Sequence, residues 1–211
     1  MIVTLLGQLF FCISRTAAKY IYVAYPDMTP FQFLFLRASV AVIVGLIVVN
    51  RNLKFALYDS FGPGDKWKLV AKIPQSLIGV YFGFTSLKYF PVSYCTSMRS
   101  LSPFFAIVLS AVFLKEAATC REVFIITIVS TLSLLFVFTA NLNEEEEDEL
   151  LYGLTPGTKV LAWSSLFLTP LSIAIGNVLL RALKGLHENT VSLYGNFSGL
   201  VVFLTLVLAT G

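Results

Sequence analysis

The stretch YCTSMRSLSPFF, Tyr94 to Phe105, decides how the chain is read. Apolar sequence flanks it on both sides, so it belongs to a segment built for hydrocarbon. Yet it holds Arg99 four residues before Pro103. Proline has no N–H and cannot bond the carbonyl four residues earlier, which here is that of Arg99. A freed carbonyl and a guanidinium at one helix turn both call for polar company, such as a water-filled cavity or a substrate. Tyr94, Thr96, Ser97 and Ser100 add hydrogen-bonding side chains around them. The alternative is a packing kink, with Ser and Thr bonding back to their own helix.

The rest of the chain has the same character. Its 211 residues are 57% hydrophobic and 13% charged, with a mean hydropathy of +0.82. An ordinary soluble domain carries about 25% charged residues, so the composition is that of an integral membrane protein. Apolar segments of about 20 residues, enough to cross the hydrocarbon layer, fall at 2–24, 31–50, 69–87, 92–114, 123–140, 160–180 and 191–210. The links YPDMTP, FGPGDK and KYFP carry turn-forming residues. The expected fold is an all-α polytopic bundle with neighbouring helices mostly antiparallel.

Basic residues in the links set the orientation. With the N-terminus in the cytosol, Arg51, Lys54, Lys66, Lys68, Lys115, Arg121, Arg181 and Lys184 are cytosolic, and only Lys88 and Lys159 lie opposite. A cytosolic N-terminus is therefore expected, in a plasma or internal membrane. Six acidic residues form one run, Glu144 to Glu149, and without it the formal charge of +3 becomes +9. The run reads as a solvated non-cytosolic loop over 141–159. The apolar sequence running up to both Met1 and Gly211 raises the expectation of a fragment of a longer protein.

Cations also lie inside the spans. Arg15 and Lys19 are on the first, Arg37 on the second, Lys72 on the third and Arg99 on the fourth, while no span interior holds an Asp or Glu. Basic residues at the bilayer centre cost about 2.5–3.5 kcal/mol each on insertion scales, and a carboxylate partner is missing here. At 1.5 Å per residue Arg15 lies ~14 Å from the non-cytosolic end of its helix, and Lys19, Arg37 and Arg99 roughly 8–10 Å in from that side. Arg15 and Lys19, spaced i,i+4, share a face. Lys72 and Lys88, near helix ends, are expected to snorkel to the headgroups. Arg99, Arg15 and Arg37, then Lys19, are the candidates for an anion-attracting pocket, with Tyr81, Tyr94 and Ser97 as stacking or hydroxyl contacts.

Small residues mark close helix packing. Gly79 and Gly83 form GxxxG on the third segment, and Ser102, Ala106 and Ser110 form a stripe on the fourth. Chance in so apolar a sequence is the alternative for either. The Asn196-Phe197-Ser198 sequon lies within a span and is discounted as a glycan site. Cys12, Cys95 and Cys120 have no CxxC spacing, so no metal and no disulfide framework is expected. There is no HExxH, and the one histidine, His187, is in a link, so enzyme chemistry and a cofactor are not expected.

SLSPFFAIVLSAVFLKEAATCREVFIITIVSTLSLLFVF, from Ser100, resembles the signature of the drug/metabolite transporter superfamily, EamA type. The matching features are a Ser-Pro near a helix start, an apolar run with small residues, an acidic exit at Lys115-Glu116, and a helix closing the repeat. TPFQFLFLRASVAVIVGLIVV resembles the family's second helix, with its arginine at Arg37, and GVYFGFTSLKYFPVSYCTSMRSLSP its third-to-fourth passage. PVSY and SMRSLSPFF are also similar to nucleotide-sugar and triose-phosphate relatives. The closing helix departs from the pattern, since FIITIVSTLSLLFV has no glycine.

The resemblance implies ten helices in two five-helix repeats, the second inverted, with a cavity between them. On that frame residues 1–140 are the first repeat, 141–159 the acidic loop, and 160–211 the first two helices of an incomplete second repeat. The function expected is facilitated passage or exchange of small polar, anionic organic metabolites by alternating access. A non-transporting scaffold or a degraded relative remains the alternative. The partners expected are the lipid bilayer and a small solute, with no nucleic acid; a second copy of the chain is left open.

Overall fold

The computed structural model describes residues 2–49, 65–115, 119–140, 154–182 and 188–210. The run Glu144 to Glu149, most of the expected loop 141–159, and His187 lie outside the described residues. The helices are α1 Ile2–Ala24, α2 Pro30–Val49, α3 Asp65–Tyr89, α4 Val92–Arg99, α5 Ser102–Leu109, α6 Cys120–Ala140, α7 Pro156–Ala182 and α8 Glu188–Thr210. There is no strand among the described residues. The fold is the membrane helix bundle expected from the sequence, with each helix within a few residues of its apolar segment.

Short polar signals start the helices. Before α2, Gln32 Oε1 accepts from the Thr29 N–H at 3.0 Å and Thr29 Oγ1 accepts from the Gln32 N–H at 3.3 Å. With Pro30 in the first helical position this is a capping box that satisfies otherwise orphaned amides. Thr119 and Glu122 repeat the arrangement before α6, at 3.0 and 3.4 Å.

Pro91 separates α3 from α4, and the fourth span is itself interrupted. α4 ends at Arg99, Ser100 and Leu101 form a turn, and α5 restarts with Pro103 in its first turn. The turn is held by local bonds: Ser100 N–H to the Thr96 and Ser97 carbonyls at 3.2 and 3.1 Å, and Leu101 N–H to Met98 O at 3.1 Å. Thr96 Oγ1 bonds back to Val92 O at 2.7 Å and Ser100 Oγ to Ser97 O at 2.6 Å. Back-bonding and the proline break therefore occur together. Ser100 Oγ also meets Ser133 Oγ at 2.6 Å, tying the break to α6. α5 runs into a π-helical turn, Ser110–Leu114, and stops at Lys115, whose φ of 54° is left-handed.

Among the described residues, four spans are long and apolar enough by composition to cross a bilayer: Pro30–Val49, Val92–Phe113, Pro156–Arg181 and Thr190–Ala209. α1 and α3 carry the polar residues Arg15, Lys19, Lys72 and Gln75 within otherwise apolar sequence.

α3 is central. α7 packs along α3 and α5, α8 along α2 and against α3, and α6 against α4 and α5. The two last helices thus pack onto the first five rather than beside them. The GxxxG of α3 makes this contact close: a Cβ on Gly79 would lie 2.6 Å from Ser172 Oγ of α7, and one on Gly83 3.9 Å from Thr169 Cγ2. Ser102, Ala106 and Ser110 are all buried, and Ser110 Oγ accepts from Arg181 Nη1 of α7 at 3.2 Å. Both small-residue stripes therefore serve α7. A core of Tyr22, Leu87, Phe90, Cys95, Met98 and Leu166 joins α1, α3, α4 and α7, with Trp163 edge-on to Phe90 at 5.0 Å.

Candidate functional site

A cavity of about 310 Å³ lies between α1, α2, α3, α4 and α7. Arg15, Arg37, Lys72 and Arg99 all line it, each from a different helix. It adjoins a larger chamber of about 600 Å³, which shares Arg37, Lys72, Ser76 and Val80 and adds Ser192 and Asn196 of α8. On its other flank is a space of about 260 Å³ that shares Arg15 and Arg99 and reaches Thr96, Ser100 and Pro103.

Arg15 is 5% exposed, and its Nη1 has no hydrogen-bond partner. Its Cζ lies 4.9 Å from the centroid of the Phe11 ring, one turn earlier on α1. Arg99 of α4 uses the same ring at 4.0 Å. The negative ring face partly offsets two like charges held together. Arg37 lies over Phe84 of α3 at 5.4 Å and is exposed into the cavity. The span interiors hold no Asp or Glu.

Lys72 does not snorkel. Its ammonium donates to Gln75 Oε1 at 2.8 Å, and the Gln75 amide donates to the Ser172 carbonyl and, at 3.4 Å, to Ser172 Oγ. α3 begins at Asp65, four residues before the apolar segment does, which puts Lys72 seven residues, ~10 Å, into the helix. Gly176 of α7 leaves the room, since a Cβ there would sit 2.9 Å from Lys72 Nζ and 3.0 Å from Gln75 Nε2.

Of the other predicted residues, Lys19 is drawn away to cap α3. Its Nζ donates to the Lys88 and Phe90 carbonyls at 3.3 and 3.1 Å. Lys88 in turn donates to Met28 O in the α1–α2 turn at 2.9 Å, not to headgroups. Tyr81 stacks on Phe31 at 5.1 Å and Tyr94 on Phe90 at 6.5 Å. The Ser97 carbonyl accepts from Ser100 Oγ in the turn that follows its helix. Lys19, Tyr81, Tyr94 and Ser97 are not among the residues lining the three spaces.

Sequence reasoning missed Lys72 as a lining residue, and with it Gln75, Asn177 and Asn196. The signal for the first two was KIPQS, polar residues around Pro74 in a transmembrane helix. For the two asparagines it was an amide within an apolar span.

The arrangement gathers four basic side chains from four helices around one cavity. The family model of the EamA-like transporter family matches residues 1–139, the first five spans. No curated protein and no solved structure matches the chain.

Proposed function

The chain belongs to the EamA-like transporter family, and from that premise we propose that it carries small anionic organic solutes across the membrane by facilitated passage or exchange. The observation behind this is the Arg15–Phe11–Arg99 cluster, with Arg15 buried and one of its nitrogens unpartnered. An unpaired buried charge is costly, and an oxyanion entering the cavity relieves that cost. Arginine suits the task because its planar fork matches carboxylate and phosphate oxygens in pairs.

In this reading Arg15 and Arg99 bind the acidic group, Arg37 and Lys72 extend the positive field, and Gln75 orients Lys72. The substrate passes by alternating access, α3 and α7 forming facing walls of the cavity. Proton or sodium coupling generally uses intramembrane carboxylates, and the span interiors of this sequence hold none, which supports passage down the gradients of the exchanging anions unless further helices carry one.

The test is exchange of radiolabelled organic anions by the chain in proteoliposomes, with Arg99→Ala beside wild type. Loss of exchange in a variant that still elutes as a folded, monodisperse species is the expected result. Undiminished exchange by such a variant overturns the pocket assignment. Exchange of neutral or cationic solutes in preference to anions overturns the substrate class.

A further inference from the structure

We propose that the substrate is a small dianion, one oxyanion group held by Arg15 and Arg99 and the second by Arg37 and Lys72. The inference rests on the anion-transport reading above and adds the number and placement of the charges.

The four cations fall into two pairs at two ends of one cavity. All four line the 310 Å³ space. Only Arg15 and Arg99 also line the space beside Pro103, and only Arg37 and Lys72 also line the chamber toward α8. Arg15 and Arg99 are joined through Phe11, whereas Arg37 lies over Phe84 and Lys72 is held by Gln75. One acidic group reaching the Phe11 end leaves Arg37 and Lys72 uncompensated at the other. No carboxylate in the span interiors makes up the difference. A second acidic group on the same molecule does so, and it gains from a site already ordered to receive it.

Each end has donors free for the purpose. Arg15 Nη1 has no partner, and the Lys72 ammonium spends one of its three N–H groups on Gln75. The cavity's size is at the lower end of the ~300–1,000 Å³ range of ligand pockets, which suits two acidic groups on a short spacer. The recognised chemistry is that of two oxyanions, carboxylate or phosphoryl.

The test is calorimetric binding to the detergent-purified full chain. The probes are glutarate, valerate as a monoanion of the same chain length, and 3-phosphonopropionate. Glutarate or 3-phosphonopropionate is expected to bind at least about tenfold more tightly than valerate. The tighter of the two identifies the second group as carboxylate or phosphoryl, and either supports the dianion. Lys72→Met should weaken the dianions far more than valerate, bringing the dianion-to-monoanion ratio close to one, and Lys72→Arg should restore the preference. Equal binding of dianions and valerate by wild type overturns the proposal. So does Lys72→Met weakening both alike in a protein that Lys72→Arg shows to tolerate change at this position. Binding of none of the three probes overturns the dianion, and the anion reading then rests separately on the Arg99→Ala exchange assay.

Discussion

Arg99 stacks on Phe11, its Cζ 4.0 Å from the ring centroid, and so joins α4 to α1 through a cation–π contact. Arg15 shares that ring at 4.9 Å. A ring serving two guanidinium groups holds them ready without neutralising them, which a carboxylate would do. Cation–π contacts contribute about 0.5–2 kcal/mol depending on desolvation. Phe11→Leu keeps apolar bulk and removes the ring quadrupole. It should weaken binding of an organic anion by about tenfold, with little change in melting temperature. Titration of the purified variant beside wild type checks this, and unchanged affinity removes Phe11 from the site.

Gly79 and Gly83 look equivalent in sequence but not in space. A side chain at Gly79 collides with Ser172 Oγ at 2.6 Å, whereas one at Gly83 meets Thr169 Cγ2 at an ordinary 3.9 Å. Overpacking typically costs about 1–3 kcal/mol. Gly79→Val should therefore lower the melting temperature in detergent clearly, while Gly83→Ala should leave it unchanged or raise it through better helix propensity. Equal effects would mean that α3 and α7 do not meet along this line.

Lys19 is a helix cap. Its ammonium sits on the Lys88 and Phe90 carbonyls, where the negative end of the α3 dipole lies. A cation in such a partly buried position stabilises by up to ~2 kcal/mol. Lys19→Met should lower thermal stability and leave anion affinity within about twofold of wild type, a range set by the small long-range effect of one screened charge. A selective loss of anion binding at unchanged stability would instead return Lys19 to the binding site.

Cys12 reports the field of the cavity. It is exposed and lines the space that Arg15 and Arg99 share. A cationic cleft concentrates anions near its walls by tenfold or more at low ionic strength, an effect that salt weakens. An anionic methanethiosulfonate should modify Cys12 about tenfold faster than a cationic one of similar size, in a chain whose Cys95 and Cys120 are replaced by serine. The advantage should shrink at high salt and in Arg99→Ala. Equal rates for the two reagents would contradict an electropositive cavity.

Much of the fold was legible in single residues and short patterns. Apolar length located the spans because the hydrocarbon layer has one thickness and a helix one rise per residue. The turn residues of YPDMTP and KYFP, Pro91 among them, marked helix boundaries by local chemistry alone. Pro103 marked the break in the fourth span because the missing N–H is a property of the residue, whatever surrounds it. The arginines announced a polar interior because hydrocarbon leaves a charge few places to go.

The tertiary structure decided which cations share a cavity. Arg15 and Lys19 lie one turn apart on one face of α1, yet Arg15 meets Arg99 across Phe11 while Lys19 reaches the end of α3. Lys72 reads as a headgroup anchor and instead joins Gln75 against Gly176. Sequence sets how deep a residue lies along its helix, since depth is a count of residues. The direction in which a long side chain then points depends on helix rotation and on neighbours. Those are set by close approaches such as Gly79 to Ser172, between residues 93 positions apart in the chain.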